Sequence, residues 1–240
     1  MKKYIRTLTI YYDTEISGYE IHLFRGAIID AMGDKVNDLF HNHIGNDKFR
    51  YSYPLIQYKR INGKAVIVCV DKGVDTIGQF ISKYDSPIRL KDRTVRLKIN
   101  KVIPSRVLIQ TWENPFTYYI RSWLPLNRNN YSVFQQINDK KERINFLSNI
   151  LKANILSMLK GLDIILEQEV KLEITWLSDY KVMRYKELLL TSFNAIFQCN
   201  VSLPNNIGLG KNTSLGFGTV FKKMEKDNQN PETENEINEE

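Results

Sequence analysis

Four of the chain's twelve glycines fall in one short stretch. They are Gly208, Gly210, Gly216 and Gly218, within Leu203-Pro-Asn-Asn-Ile-Gly-Leu-Gly-Lys-Asn-Thr-Ser-Leu-Gly-Phe-Gly-Thr-Val220. Glycine adopts positive φ and lets another backbone come close. Its uncovered neighbouring N–H groups can turn toward an anion. Lys211 adds a fixed positive charge, and Asn212, Thr213 and Ser214 add small polar groups. This is the composition of a loop that holds phosphate; the alternative is a tight glycine hairpin with no ligand. A dinucleotide fingerprint is excluded, because Thr213 stands where a third glycine is needed and no helix follows. A Walker loop is excluded, because Lys211 is followed by Asn212. Phe217, Thr219, Val220 and Phe221 read instead as a strand.

The second cluster is Leu39-Phe-His-Asn-His43, which holds two of the three histidines in a polar loop from Asp34 to Arg50. Imidazole exchanges its proton near neutral pH. The string does not read as an HNH nuclease, whose three residues are far apart in sequence. Two histidines without a nearby cysteine pair give half a zinc shell, and Asp34, Asp38 and Asp47 read as solvated loop acids, so no metal site and no cofactor are expected. His22 falls on a predicted helix and reads as structural.

The elements that must position these residues come from a chain of 240 residues, 42% hydrophobic, enough for one large domain or two small ones. Cys69 and Cys199 sit in apolar, strand-like runs, which points to a reducing compartment such as the cytoplasm. No signal peptide or membrane-length apolar run is read. The net charge is +7. Residues 227–240 carry six acids and no Lys or Arg; without them 34 basic residues face 21 acids, a body of +13. A polar acidic tail over 225–240 is expected to be disordered, and the basic body favours a polyanionic partner.

Residues 4–12 alternate as a strand. Ser17 and Glu20 form a capping box that opens a helix through Phe24, Ile28 and Ala31, closed by Gly33. Tyr53–Arg60 and Lys64–Val70 read as strands joined by the hairpin pair Asn62-Gly63. A short helix over Val74–Tyr84 ends before Pro87, and Thr94–Val102 alternates again. The order β-α-β-β-α-β is the ferredoxin-like plan, shared by many RNA-binding modules. Pro104–Pro115 reads as the crossing into a second, imperfect copy. There, Phe116–Leu126 is a strand. A helix starts at Asp139 with the stripe Leu147, Leu151, Ile155, Met158 and Leu162, and ends at Gly161. Val170–Leu177 and Tyr180–Glu187 are strands, Leu188–Phe193 a short helix or irregular link, and Ala195–Leu203 the strand that delivers the glycine loop. The expected fold is therefore α+β, with tandem ferredoxin-like (RRM-like) domains over 1–110 and 111–224, the second degenerate and its last helix reduced or lost.

Two such units with Gly-Leu-Gly-Lys-x-x-Ser-x-Gly-Phe-Gly near the C-terminus resemble the repeat-associated RNA-binding (RAMP) superfamily of CRISPR systems. Leu39-Phe-His-Asn-His43 followed by Tyr51-Ser-Tyr-Pro-Leu-Ile-Gln-Tyr58 resembles the branch that cuts the precursor CRISPR transcript, over roughly residues 1–222. The resemblance implies a metal-independent endoribonuclease: the RNA's own 2′-OH attacks the adjacent phosphate, leaving a 2′,3′-cyclic phosphate and a 5′-OH. A histidine acts as base or acid, helped in many members by a tyrosine or lysine. His41 and His43 are two apart and point opposite ways in an extended loop, so one faces the phosphate. His43 is favoured because Phe40 beside His41 looks like an anchor. Tyr51 is the candidate donor, and Lys35 the candidate phosphate-neutralising cation. The RNA-binding candidates are Gly208, Gly210, Lys211, Asn212, Ser214, Gly216 and Gly218, which would hold the backbone or brace the groove between the units. The implied partner is CRISPR repeat RNA, with a homodimer and a CRISPR effector complex as further candidates. The competing reading is a non-catalytic RNA-binding subunit of the same superfamily.

Overall fold

The computed structural model describes residues 3–32, 43–44, 48–49, 53–83, 87–185 and 188–223. Gly33 and the acidic tail lie outside them. β1 (Lys3–Glu15) alternates as its sequence predicts. The Ser17 capping box is present, with Glu20 accepting from the Ser17 N–H at 2.8 Å. It opens a 3-10 turn over Gly18–Glu20, from which α1 (Ile21–Met32) continues. β2 (His43–Ile44) and β3 (Lys48–Phe49) pair as a small antiparallel ribbon. β4 (Ile56–Ile61) and β5 (Lys64–Val70) are joined by Asn62 and Gly63 at φ 49° and 74°, the doubly positive pair a type I′ hairpin needs. α2 (Lys72–Lys83) follows.

The predicted strand over Thr94–Val102 is split. β6 (Ile88–Leu90) and β7 (Arg93–Val95) form a separate hairpin, and β8 begins only at Ile99 and runs to Ile109. The predicted crossing over Pro104–Pro115 is also strand: β8 passes through Pro104, and β9 (Thr111–Trp123) through Pro115. Both prolines avoid the usual penalty. Pro104 lies on the edge strand of the first sheet, and Pro115 falls where the β9 register shifts.

α3 (Arg128–Gln136) was not anticipated; Asn127 caps it by accepting from the N–H groups of Asn129 and Asn130. α4 (Lys140–Gly161) starts at its Asp139 cap, where the Glu142 N–H donates to Oδ1 at 2.8 Å. Its predicted stripe is buried throughout. β10 (Leu172–Leu177), β11 (Lys181–Tyr185), β12 (Leu188–Val201) and β13 (Thr219–Lys222) complete the chain. The link expected over Leu188–Phe193 is instead the first part of β12, because β11 supplies a partner strand from Ser192 back to Leu188.

The two sheets share one plan. The first has antiparallel order β4-β5-β1-β8; the second has β10-β12-β9-β13, with β11 added alongside β12. In each, the third strand of the unit pairs with the first, and the fourth flanks the first on its other side, the order of the ferredoxin-like fold. α1 and α2 bury one face of the first sheet over Ile10, Tyr12, Phe24, Ile28, Tyr58, Ile67 and Ile77. α4 buries one face of the second over Tyr118, Ile120, Phe197 and Cys199. Ile5, Val70 and Ile109 of the first sheet join that second core, so the units share apolar packing. Among the described residues no helix is long and apolar enough to cross a membrane.

Candidate functional site

The glycine stretch connects β12 to β13, the place that α2 fills between β5 and β8. Among its described residues the only helical element is a 3-10 turn over Thr213–Leu215. The stretch folds back on itself: Leu209 N–H donates to Gly218 O at 2.8 Å, Val220 N–H to Ile207 O at 2.8 Å, and Asn206 N–H to Val220 O at 2.8 Å. Gly218 has φ 61°, and a Cβ there would lie 1.9 Å from Leu209 O, so no other residue fits. Gly216, at φ 86°, lies against Ile21, Tyr58 O and Lys59.

The loop is fastened to the first unit. Tyr53 Oη donates to Gly208 O at 3.0 Å, and Gly208 N–H donates to Gln57 Oε1 at 2.8 Å. Asn206 Nδ2 donates to Tyr11 Oη at 2.9 Å. Lys59 Nζ donates to Thr219 Oγ1 at 3.2 Å, and that hydroxyl donates on to Gly216 O at 2.9 Å. Lys59 is wholly buried. Loss of water, with the Arg121 guanidinium nearby, pulls its ammonium down to about 7. Arg121 itself donates to Arg60 O at 2.7 Å.

These bonds sort the predicted phosphate-loop residues. The N–H groups of Gly208, Gly216 and Gly218 donate inside the protein, to Gln57, Thr213 O and Ser122 O. Gly210 sits over the Trp123 Nε1 to Asn154 Oδ1 hydrogen bond. Lys211 and Asn212 are exposed and Ser214 is half-buried. Lys211 Nζ donates to Leu126 O at 2.9 Å, and partial burial lowers its pKa. The loop thus braces the two units from within through Asn206, Thr213 and Thr219, and presents Lys211 and Asn212 outward.

His41, Tyr51 and Lys35 lie outside the described residues. Of His43 the structure gives only its backbone pairing with Phe49. Tyr53, two residues beyond Tyr51, is the first described residue after it, and its hydroxyl donates to the glycine loop. Among the described residues no group of three or more His, Cys, Asp or Glu could hold a metal ion.

Sequence reasoning missed Tyr53, Gln57 and Lys59 as anchors. Gln57 and Lys59 alternate with Ile56 and Tyr58 along β4, so a strand pattern puts them on a solvent face. Their partners Gly208 and Thr219 lie more than 140 positions away in the chain.

Comparison with known proteins follows this two-part organisation. The Cas6b N-terminal domain model matches residues 3–106 and the Cas6b C-terminal domain model residues 110–223. A curated but uncharacterized protein of Methanocaldococcus jannaschii is 36% identical over 116 residues, 47% of this chain and 76% of that one. A crystal structure of Cas6b superimposes with a TM-score of 0.83 at 26% identity, covering 92% of this chain and all of that one. A second, of a CRISPR RNA processing endoribonuclease Cas6b, gives 0.71 at 24% identity over the same shares. A RAMP protein that binds different RNA substrates shares the fold at a TM-score of 0.55 and 8% identity. Matched in both halves in order, and along nearly its whole length in three dimensions, the chain belongs to the Cas6b family.

Proposed function

We propose that the chain is an endoribonuclease that cuts the repeats of precursor CRISPR RNA by a metal-independent transesterification. The base, His43 or His41, takes the proton of a 2′-hydroxyl. The freed 2′ oxygen bonds to the adjacent phosphorus, and the bond from phosphorus to the 5′ oxygen breaks. That oxygen leaves as a 5′-OH after taking a proton from Tyr51. The other product ends in a 2′,3′-cyclic phosphate. Lys35 offsets the extra negative charge of the phosphorane. Lys211, Asn212 and Ser214 hold the backbone in line, while the buried glycines keep that rim fixed to both units. Repeat RNA is the substrate, and a homodimer or a CRISPR effector complex the assembly that receives it.

The observation that carries this reading is the Tyr53 to Gly208 hydrogen bond of 3.0 Å. It ties Tyr53, ten residues after His43 in the chain, to the glycine loop proposed to hold the RNA backbone, which supports reading the two segments as parts of one site. His41→Ala and His43→Ala test it. At the residue acting as base, cleavage of repeat RNA falls by about 10²–10⁴-fold while binding persists. A wild-type chain that binds the RNA and never cuts it would transfer the reading to a non-catalytic RNA-binding subunit.

A further inference from the structure

The open face of the second sheet, opposite α4, carries a transverse row of apolar side chains. Trp176 on β10 is directly paired with Ile196 on β12. Ile196 is paired with Tyr119 on β9, and Tyr119 with Phe221 on β13. The β10 bulge between Ile174 and Trp176 makes this possible, because it swings Trp176 to the open face while Ile174 stays in the core. Four strands at the usual spacing make a row roughly 15 Å long.

The row grades from wet to dry. Trp176 is 47% exposed, whereas Phe221 packs against Ile61, Val66 and Val68 of the first sheet. Tyr119 and Phe221 stack with centroids 6.2 Å apart at 29°, and the Arg121 guanidinium lies 5.1 Å from the Phe221 ring. The neighbouring row, Glu173, Gln198 and Thr117, is polar. A strip one residue wide between hydrogen-bonding side chains is too narrow for a protein-docking patch, which needs a broad apolar centre. It suits flat rings whose edges are polar, and the chain's net +7 favours a polyanion that carries them.

We propose that this row is a stacking platform for unpaired nucleobases of the substrate RNA, with one base on Trp176 and the next on Tyr119. The proposal rests on the RNA reading above and deepens it. It assigns a single-stranded segment of the repeat to the second sheet, apart from the phosphate contacts at the glycine loop. Stacking on an aromatic side chain accepts any base and involves no counterion release, so it differs in kind from the contacts of Lys211.

The test is a binding titration with a fluorescein-labelled, single-stranded repeat RNA from the host's own array, made uncleavable by a 2′-deoxy nucleotide at the cut site. Trp176→Ala weakens binding about ten-fold, and Trp176→Phe restores most of it. The slope of log Kd against log salt stays at the wild-type value. Trp176→Leu, which keeps an apolar side chain on the sheet, binds as weakly as the alanine variant and guards against a folding defect. Wild-type affinity in both Trp176→Ala and Trp176→Leu would overturn the platform and leave the nuclease reading intact. So would an equal loss against a fully paired RNA of the same length. No binding by the wild-type chain would instead sink the RNA reading on which the platform rests.

Discussion

In the first unit α2 joins β5 to β8 and covers its own sheet, with Ile77 in that unit's core. In the second, the equivalent join between β12 and β13 is the glycine loop, which reaches across and covers the other unit. Its reach turns Gln57 and Lys59 of β4 into buried residues with loop partners at 2.8 and 3.2 Å. The open face of the second sheet is covered by the first unit at Phe221 and stays exposed at Trp176. The same strand order therefore produces one sheet face buried between the units and one that stays partly exposed. What differs is whether the join between third and fourth strands folds home or away.

Breaking the reaching join gives the largest effect. Gly218→Ala forces a methyl group into Leu209 O at positive φ. It should lower unfolding free energy by about 4 kcal/mol in urea titration, if the chain folds at all. Next comes the buried cation. Burial holds the Lys59 ammonium down to about 7, from the 10.5 of an ordinary lysine. Between those values the unfolded chain holds a proton that the folded one lacks, so stability should rise as pH climbs through the window. Below about pH 7 both states are protonated and the burial penalty is fully present. The rise should reach roughly 5 kcal/mol across the whole window and vanish in Lys59→Met, as followed by denaturation at stepped pH. Tyr53→Phe leaves Gly208 O without its hydroxyl donor and should cost about 1 kcal/mol. Smallest in stability is Lys211→Ala, within about 0.5 kcal/mol of wild type. Its effect should appear instead in the salt slope of RNA binding, lowered by about one. A Gly218→Ala variant as stable as wild type would mean that the loop is not a brace.

Local pattern carried much of the fold. The Ser17 and Asp139 caps, the Asn62-Gly63 turn and the α4 stripe act through neighbours within a few residues, and each is where its signal places it. Misreadings occurred where a distant partner decides. Alternation over Thr94–Val102 could not show that Arg93–Val95 pairs backward with β6. The prolines at 104 and 115 looked like breakers because their edge and irregular positions are properties of the sheet. Leu188–Phe193 lacked a strand signal that β11 supplies only by pairing. At the site, composition marked the glycine loop but not its division into buried brace and exposed rim, because Tyr53, Gln57 and Lys59 meet it only in the fold. The nucleobase row was equally hidden, since it exists through register across four strands.

Incubating the wild-type chain with the host's repeat RNA in EDTA, with and without a 2′-deoxy nucleotide at the cut site, tests the proposed chemistry most directly. Attack by the RNA's own hydroxyl predicts cutting in EDTA, a 2′,3′-cyclic phosphate on the upstream product, and no cutting of the deoxy substrate. Cutting that requires added metal, or that survives the deoxy substitution, would contradict it.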